Sequence, residues 1–328
     1  MATLAEIRAK LAAQDNKQQA GSGDNTIYAH WNIEEGQTCT LRFLPDGDED
    51  NTYFWIERQM IKLPFAGIKG DPSSKPMTVQ VPCMEMWEAT GSCPVLAEVR
   101  PWFKDPSLEE VARKYWKKRS YIMQGYVRKD PTNEDGPDKL RRRFIISPQI
   151  FALIKSALMD PELEEMPTDY LLGLDFHVAK TNKGGWADYS TSKWARKESA
   201  LTPDEKTELD EDGLLDLKTF LPKKPDAKHL EIIKEMFEAS VDGEAYDPDR
   251  WAQYYRPPGL DKPSTPAAVN SPAAPQAEAP APKAEAAPAD DDIPFVADAE
   301  PKVEEKAPAD SGSKAEDILA MIRSRQNA

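Results

Sequence analysis

Thr38-Cys39-Thr40-Leu41-Arg42-Phe43-Leu44-Pro45-Asp46-Gly47 decides the fold class. Cys39, Leu41 and Phe43 alternate with Thr40 and Arg42, the two-residue period of a strand buried on one face, and Pro45-Asp46-Gly47 is a turn signal that ends it. Arg42 falls on the outward face. Working outward, Tyr53 to Leu63 and Met77 to Val81 predict two more strands, separated by the Pro- and Gly-rich stretch Pro64 to Lys75. Tyr121 to Val127 and Leu140 to Ile146 predict strands joined by the turn-rich Asp130 to Asp138. Gly173 to Thr181 and Trp186 to Tyr189 predict a hairpin about Lys183-Gly184-Gly185. Helices are few: Asp105-Pro106 opens one carrying Leu108, Val111 and Tyr115, and Ser147-Pro148 opens one carrying Phe151, Ile154 and Leu158. Short strands without strand–helix alternation exclude a doubly wound sheet. The expectation is a mostly β domain with inserted helices, an OB-fold-like, partly open β-barrel.

Residues 25–200 make that core. Residues 1–24 form an arm before it, with Leu4, Ile7 and Leu11 at helical spacing beside Arg8 and Lys10, ended by Gly21-Ser22-Gly23. Residues 201–256 read as an acidic linker and helix. Residues 257–328 are rich in Ala, Pro, Glu and Lys, too poor in apolar bulk to fold, and read as a disordered tail. Within it Ile318, Leu319 and Ile322 form a narrow apolar stripe suited to a short docking helix.

The formal net charge of -15 argues against a polyanionic partner, but the charge is unevenly placed. Acids gather in Glu162 to Glu165, Asp204 to Asp216 and Asp290 to Glu305, bases in Lys114 to Arg143. Three cysteines allow no disulfide framework and fit a reducing cytosol, and no apolar leader or run of eighteen apolar residues points to a membrane or to export. A cytoplasmic location is expected.

Rings and cations interleave in three places: Tyr115-Trp116-Lys117-Lys118-Arg119-Ser120-Tyr121, Leu140-Arg141-Arg142-Arg143-Phe144, and Lys183 with Trp186 and Tyr189. Single-stranded nucleic acid calls for this mixture. Cations neutralise phosphate while ring faces stack on unpaired bases, at about 1–3 kcal/mol per base. No recognition helix or finger spacing supports duplex readout. Nucleophile elbow, P-loop and clustered metal-binding histidines are all missing, so an enzyme is not expected. A replication scaffold or adaptor, a single-stranded RNA binder and, more remotely, a metal-dependent nuclease are the alternatives.

Several motifs resemble the helix-destabilising single-stranded DNA-binding proteins of T-even-type tailed phages. They are Thr40-Leu41-Arg42-Phe43-Leu44-Pro45, Cys83 followed by Ser92-Cys93-Pro94-Val95, and Lys117-Lys118-Arg119-Ser120-Tyr121 leading to Lys129-Asp130-Pro131. Gly185-Trp186-Ala187-Asp188-Tyr189 with Ser192-Lys193-Trp194 completes the set. The resemblance runs from about residue 38 to about 200. It implies an OB-fold core, DNA contacts at Arg42, Lys117, Lys118, Tyr121, Arg142, Trp186 and Tyr189, and an N-terminal arm for self-association along DNA, here carrying Arg8 and Lys10. It also implies an acidic C-terminal region that contacts replication and recombination proteins. The family's zinc site would fall near residues 60–105, but Leu96 and Gln59-Met60 stand where ligands are required and only Cys83 and Cys93 remain. A zinc-free, apolar-packed subdomain and no cofactor are expected. Asp290-Asp291-Asp292-Ile293-Pro294-Phe295 resembles the partner-binding tip of bacterial single-stranded DNA-binding proteins, although here the chain runs on past it.

Overall fold

A computed structural model describes residues 26–132 and 139–257. Its strands are β1 Thr38–Leu44, β2 Ile56–Phe65, β3 Met77–Pro82, β4 Lys118–Lys129, β5 Arg141–Ile146, β6 Leu174–Ala179, β7 Thr181–Lys183, β8 Trp186–Asp188 and β9 Lys193–Glu198. The helices are α1 Pro94–Trp102, α2 Glu109–Tyr115, α3 Pro148–Leu158, α4 Pro203–Asp212, α5 Ala227–Val241 and α6 Pro248–Trp251. Seven strands form one sheet in the order β3-β2-β4-β1-β6-β9, with β5 also paired to β4, while β7 and β8 make a separate ribbon. The pairings between strands are antiparallel. The protein is thus a mixed helix-and-strand fold whose sheet is not closed into a barrel, since β5 and β9 do not pair.

β4 is the axis. Its first half pairs with β2, from Ile56↔Ile122 to Met60↔Lys118, and its second half with β1, from Thr40↔Lys129 to Leu44↔Gln124. β5 follows its other edge across the junction, from Tyr121↔Ile146 to Tyr126↔Arg141. The backbones of β1 and β4 come unusually close at Gly125, where a Cβ would lie 1.9 Å from the Arg42 carbonyl oxygen. Glycine alone allows that approach.

Alternation along the strands sends Leu41, Phe43, Tyr121, Met123, Phe144, Ile146, Phe176 and Val178 into one core, as the period-2 pattern predicts. α3 lies over it, started by the Ser147 hydroxyl, which accepts from the Ile150 N–H at 3.4 Å. Ile150 and Ile154 are its buried residues, so the inward stripe is rotated one position from Phe151, which is only half-buried.

A second core joins the β2–β3 hairpin to α1 and α2 and is closed by Ile233, Met236 and Phe237 of α5 with Tyr246 and Trp251. Those α5 residues recur at i, i+3 and i+4, and each buries roughly 1.5–3 kcal/mol of apolar surface. Residues 201–256 are therefore not a linker. α4 and the turn Leu217–Phe220 pack on the face of β4 away from the first core, where Leu44, Tyr126 and Leu209 form a third cluster. No helix among the described residues is long and apolar enough to cross a membrane.

Candidate nucleic-acid interface

Six of the expected contact residues are buried. Arg42 is 0% exposed. Its Nη1 donates to the Pro167 carbonyl at 3.0 Å and its Nη2 to the Asp169 carbonyl. Burial, reinforced by Arg128, lowers its pKa, and its task is to clamp the loop before β6 onto β1. Tyr115 and Trp116 belong to the second core, the Tyr115 hydroxyl meeting that of Ser240 at 3.2 Å. Tyr121 stacks on Phe151 with ring centroids 3.5 Å apart, and Tyr189 is buried beside His30. Arg141 is buried and donates to the Gly213 carbonyl. Alternation correctly put Arg42 off the first core, but residues 167–173 and the chain beyond residue 199 cover that second face.

Hydrogen bonds tie the covering to the sheet. The Tyr126 hydroxyl donates to the Glu205 carbonyl at 2.7 Å, and the Gln124 side chain bonds the Pro45 carbonyl and both backbone groups of Leu215, each at 2.8 Å. Glu205, in the stretch that reads as an acidic linker, is buried. Its carboxylate takes the Arg128 guanidinium at 3.1 and 2.8 Å and closes a capping box with Thr202. Arg143 lies over the Phe220 ring at 3.9 Å. Residues 26–28 occupy the free edge of β5, the Tyr28 N–H donating to the Arg143 carbonyl and the Arg143 N–H to the Thr26 carbonyl, both at 2.8 Å. Arg142 sits over the Tyr28 ring at 5.5 Å. The Arg141–Arg143 run is thus engaged within the fold on both faces and along its edge.

At the start of β4, Lys117 approaches Glu85 at 3.4 Å, Arg119 approaches Glu57 at 3.4 Å, and Lys118 is half-buried. The third cluster is the most open. Lys183 and Trp186 face each other across Gly184 and Gly185, whose φ values of 63° and 85° make the tight ribbon turn that favours glycine. Trp186 is 52% exposed. β9, which follows this ribbon in the chain, is an edge strand paired only to β6, and its Lys193, Arg196 and Lys197 are exposed.

A second ring set went unpredicted. Tyr53, 59% exposed, stands 4.8 Å from Trp55, and Trp55 stands 5.1 Å from Phe151, continuing the Phe151–Tyr121 stack. The ladder runs from solvent to the core. Its signal in the sequence is Tyr53-Phe54-Trp55, with Phe54 buried between two outward rings. Tyr53, Tyr170 and Trp186 are the exposed large aromatics among the described residues.

Cys83 and Cys93 lie in the apolar second core, hydrogen-bonded to each other, which raises the pKa of the Cys83 thiol and lowers that of Cys93. Leu96 is buried beside them in the same cluster, and the Gln59 N–H is directed to the Met86 sulfur at 3.3 Å. No group of three His, Cys, Asp or Glu converges among the described residues. Two thiols do not fit a closed zinc site, which needs four ligands. The remaining expected sites, Arg8, Lys10 and Asp290 to Phe295, fall outside the described residues.

No protein-family model and no curated protein matches the chain.

Proposed function

We propose that the protein binds single-stranded DNA without sequence preference, protecting it during phage replication, recombination and repair. The observation that carries this is the half-exposed Trp186 opposite Lys183 on the Gly-Gly ribbon, with the exposed cations of β9 following in the chain. A ring half open to solvent gains its use when a base stacks on it, and Lys183, Lys193, Arg196 and Lys197 supply the phosphate partners. The Tyr53–Trp55 pair offers a second stacking place.

Strand order supports an OB-like core. The run β5-β4-β1-β6-β9, with α3 between β5 and β6, follows such a barrel left open between β5 and β9. In that scheme the segment after β1, with Tyr53 and Trp55, and the β7–β8 ribbon are the two loops that bind oligonucleotides. The outer face of β4 and β5 is excluded from this role because residues 201–220 occupy it. Recruitment of replication proteins falls to the acidic tail, with Ile293 and Phe295 entering an apolar pocket while the Asp run steers toward basic rims.

Titration with oligo-dT, duplex and RNA, read by tryptophan fluorescence at several salt concentrations, tests the reading. Single-strand affinity should exceed duplex affinity and fall steeply with salt. Trp186→Ala should weaken it roughly 5- to 150-fold, the equivalent of about 1–3 kcal/mol. Equal affinity for duplex, together with an unaffected Trp186→Ala, would refute it.

A further inference from the structure

Five of the eight large apolar side chains exposed among the described residues lie in one loop, residues 159–172 between α3 and β6. Met159 is 76% exposed and Leu171 70%, with Met166, Tyr170 and Leu172 beside them in sequence. The loop is held in place. Arg42 grips the Pro167 and Asp169 carbonyls, the Asp169 carboxylate accepts the Leu171 and Leu172 N–H groups at 2.8 and 2.7 Å, and the Leu201 N–H donates to the Tyr170 carbonyl at 2.8 Å. Bonds at residues 167–172 hold this end of the loop with its apolar side chains outward, and exposed apolar side chains concentrated in this way mark interaction sites.

Charge narrows the occupant. Asp160, Glu162, Glu164, Glu165 and Asp169 are exposed on the same loop, and no Lys or Arg occurs between residues 159 and 173. DNA and the acidic stretch Asp290 to Phe295 are repelled. The complement is a short apolar segment with cations, and beyond residue 257 one stretch has that character: Ile318, Leu319, Met321 and Ile322 followed by Arg323 and Arg325, with Lys314, Glu316 and Asp317 before them, so that its bases gather at the C-terminal end.

We propose that residues 314–325 of the same chain dock on the 159–172 loop, their apolar side chains covering its Met, Tyr and Leu side chains and their arginines reaching its acids. About 56 residues, Pro258 to Ser313, separate the last described position from the docking segment. A flexible chain of that length spans roughly 40 Å, against a radius of gyration of about 17 Å for a domain of this size, so every face is within reach. Tethering of this kind holds the segment at an effective concentration near 1 mM, enough for a weak contact to be mostly formed. Docking would return the tail to the core and hold Asp290 to Phe295 in the middle of a closed span. This inference does not depend on DNA binding.

Hydrogen exchange of the full chain tests it, comparing the unaltered protein with the double variant Ile318→Asp/Ile322→Asp, which leaves residues 26–257 intact. Amides of residues 170–173 should exchange on the order of tenfold faster in the variant, and independently of protein concentration. Leu171→Asp should in turn release residues 318–322. Unchanged exchange in both variants overturns the proposal. So does protection that disappears on dilution, which assigns the loop to a second copy, or protection lost instead on Leu4→Asp/Ile7→Asp, which assigns it to residues 1–24.

Discussion

Replacing Glu205 by alanine distinguishes a solvated linker from an integral layer of the fold. Three contacts depend on this carboxylate: the pair of bonds to Arg128 at 3.1 and 2.8 Å, and the capping-box bond from the Thr202 N–H at 2.8 Å. Losing the box costs about 1 kcal/mol. Losing a charge-assisted contact in a half-buried place costs about 1.5–3 kcal/mol, tempered here because Asp175 still holds Arg128 at 2.8 Å. A loss of about 3 kcal/mol results. With a urea slope of about 2–3 kcal/mol per molar, the unfolding midpoint should fall by roughly 1 M. Asp204→Ala, one residue earlier and exposed, is the control and should leave the midpoint in place. Tryptophan fluorescence and far-UV circular dichroism should be followed together, so that loosening of α4 alone appears as non-coincident transitions. Equal midpoints for Glu205→Ala and the unaltered protein would show that the Arg128–Glu205 contact does not hold this layer down.

Other outcomes follow from single sites. His30 is buried, and burial followed by the charge of Lys180 pushes its pKa down to about 4. Because the folded value lies below the unfolded one near 6.5, stability is complete above pH 6.5 and declines toward pH 4, by about 2 kcal/mol at pH 5. Urea midpoints at pH 7.5 and pH 5 should show this loss and His30→Gln should remove it; a pH-independent midpoint contradicts the assignment. Gly125→Ala drives a Cβ into the Arg42 carbonyl, and a loss of at least about 3 kcal/mol is expected, seen as a Tm lower by roughly 6–12 °C or as insoluble protein. Arg42→Lys should lower Tm while leaving oligo-dT affinity unaltered, because Arg42 serves the loop of residues 167–173; a large loss of affinity with unaltered Tm would return it to the DNA surface.

The strands were legible because their period survives folding. Cys39, Leu41 and Phe43 alternate and are buried, and β2, β3 and β5 begin within three residues of their expected positions. What covers the other face was not legible. Residues 201–220 hold on mainly through backbone carbonyls and N–H groups, such as those of Glu205, Gly213 and Leu215, and every sequence possesses these. The acids of α4 therefore looked like solvation, although Glu205 faces inward. For the same reason Arg141 to Arg143 read as a basic surface, although the Gly213 carbonyl and the Tyr28 and Phe220 rings engage them. The Gly184-Gly185 turn between Lys183 and Trp186 is where the sequence puts it, but the hairpin is shorter than its pattern predicts: Trp186–Asp188 pairs with Thr181–Lys183, while Leu174–Ala179 pairs with β1 and β9. Tyr53 and Trp55 do not stand apart from β2 in the sequence because β-strand propensity extends β2 back over them, whereas the strand begins at Ile56.

The second core carries a consequence for how the chain is made. Its hairpin, α1 and α2 are complete once residue 115 has been synthesised, yet the residues that close it, Ile233, Met236, Phe237, Tyr246 and Trp251, come more than a hundred positions later. At about 5–20 residues per second, Ile61, Leu63, Val79 and Val81 wait roughly 6–25 s on the ribosome for their partner. During that interval the nascent chain presents an apolar sheet face to solvent, and holdase chaperones should engage it until α5 emerges.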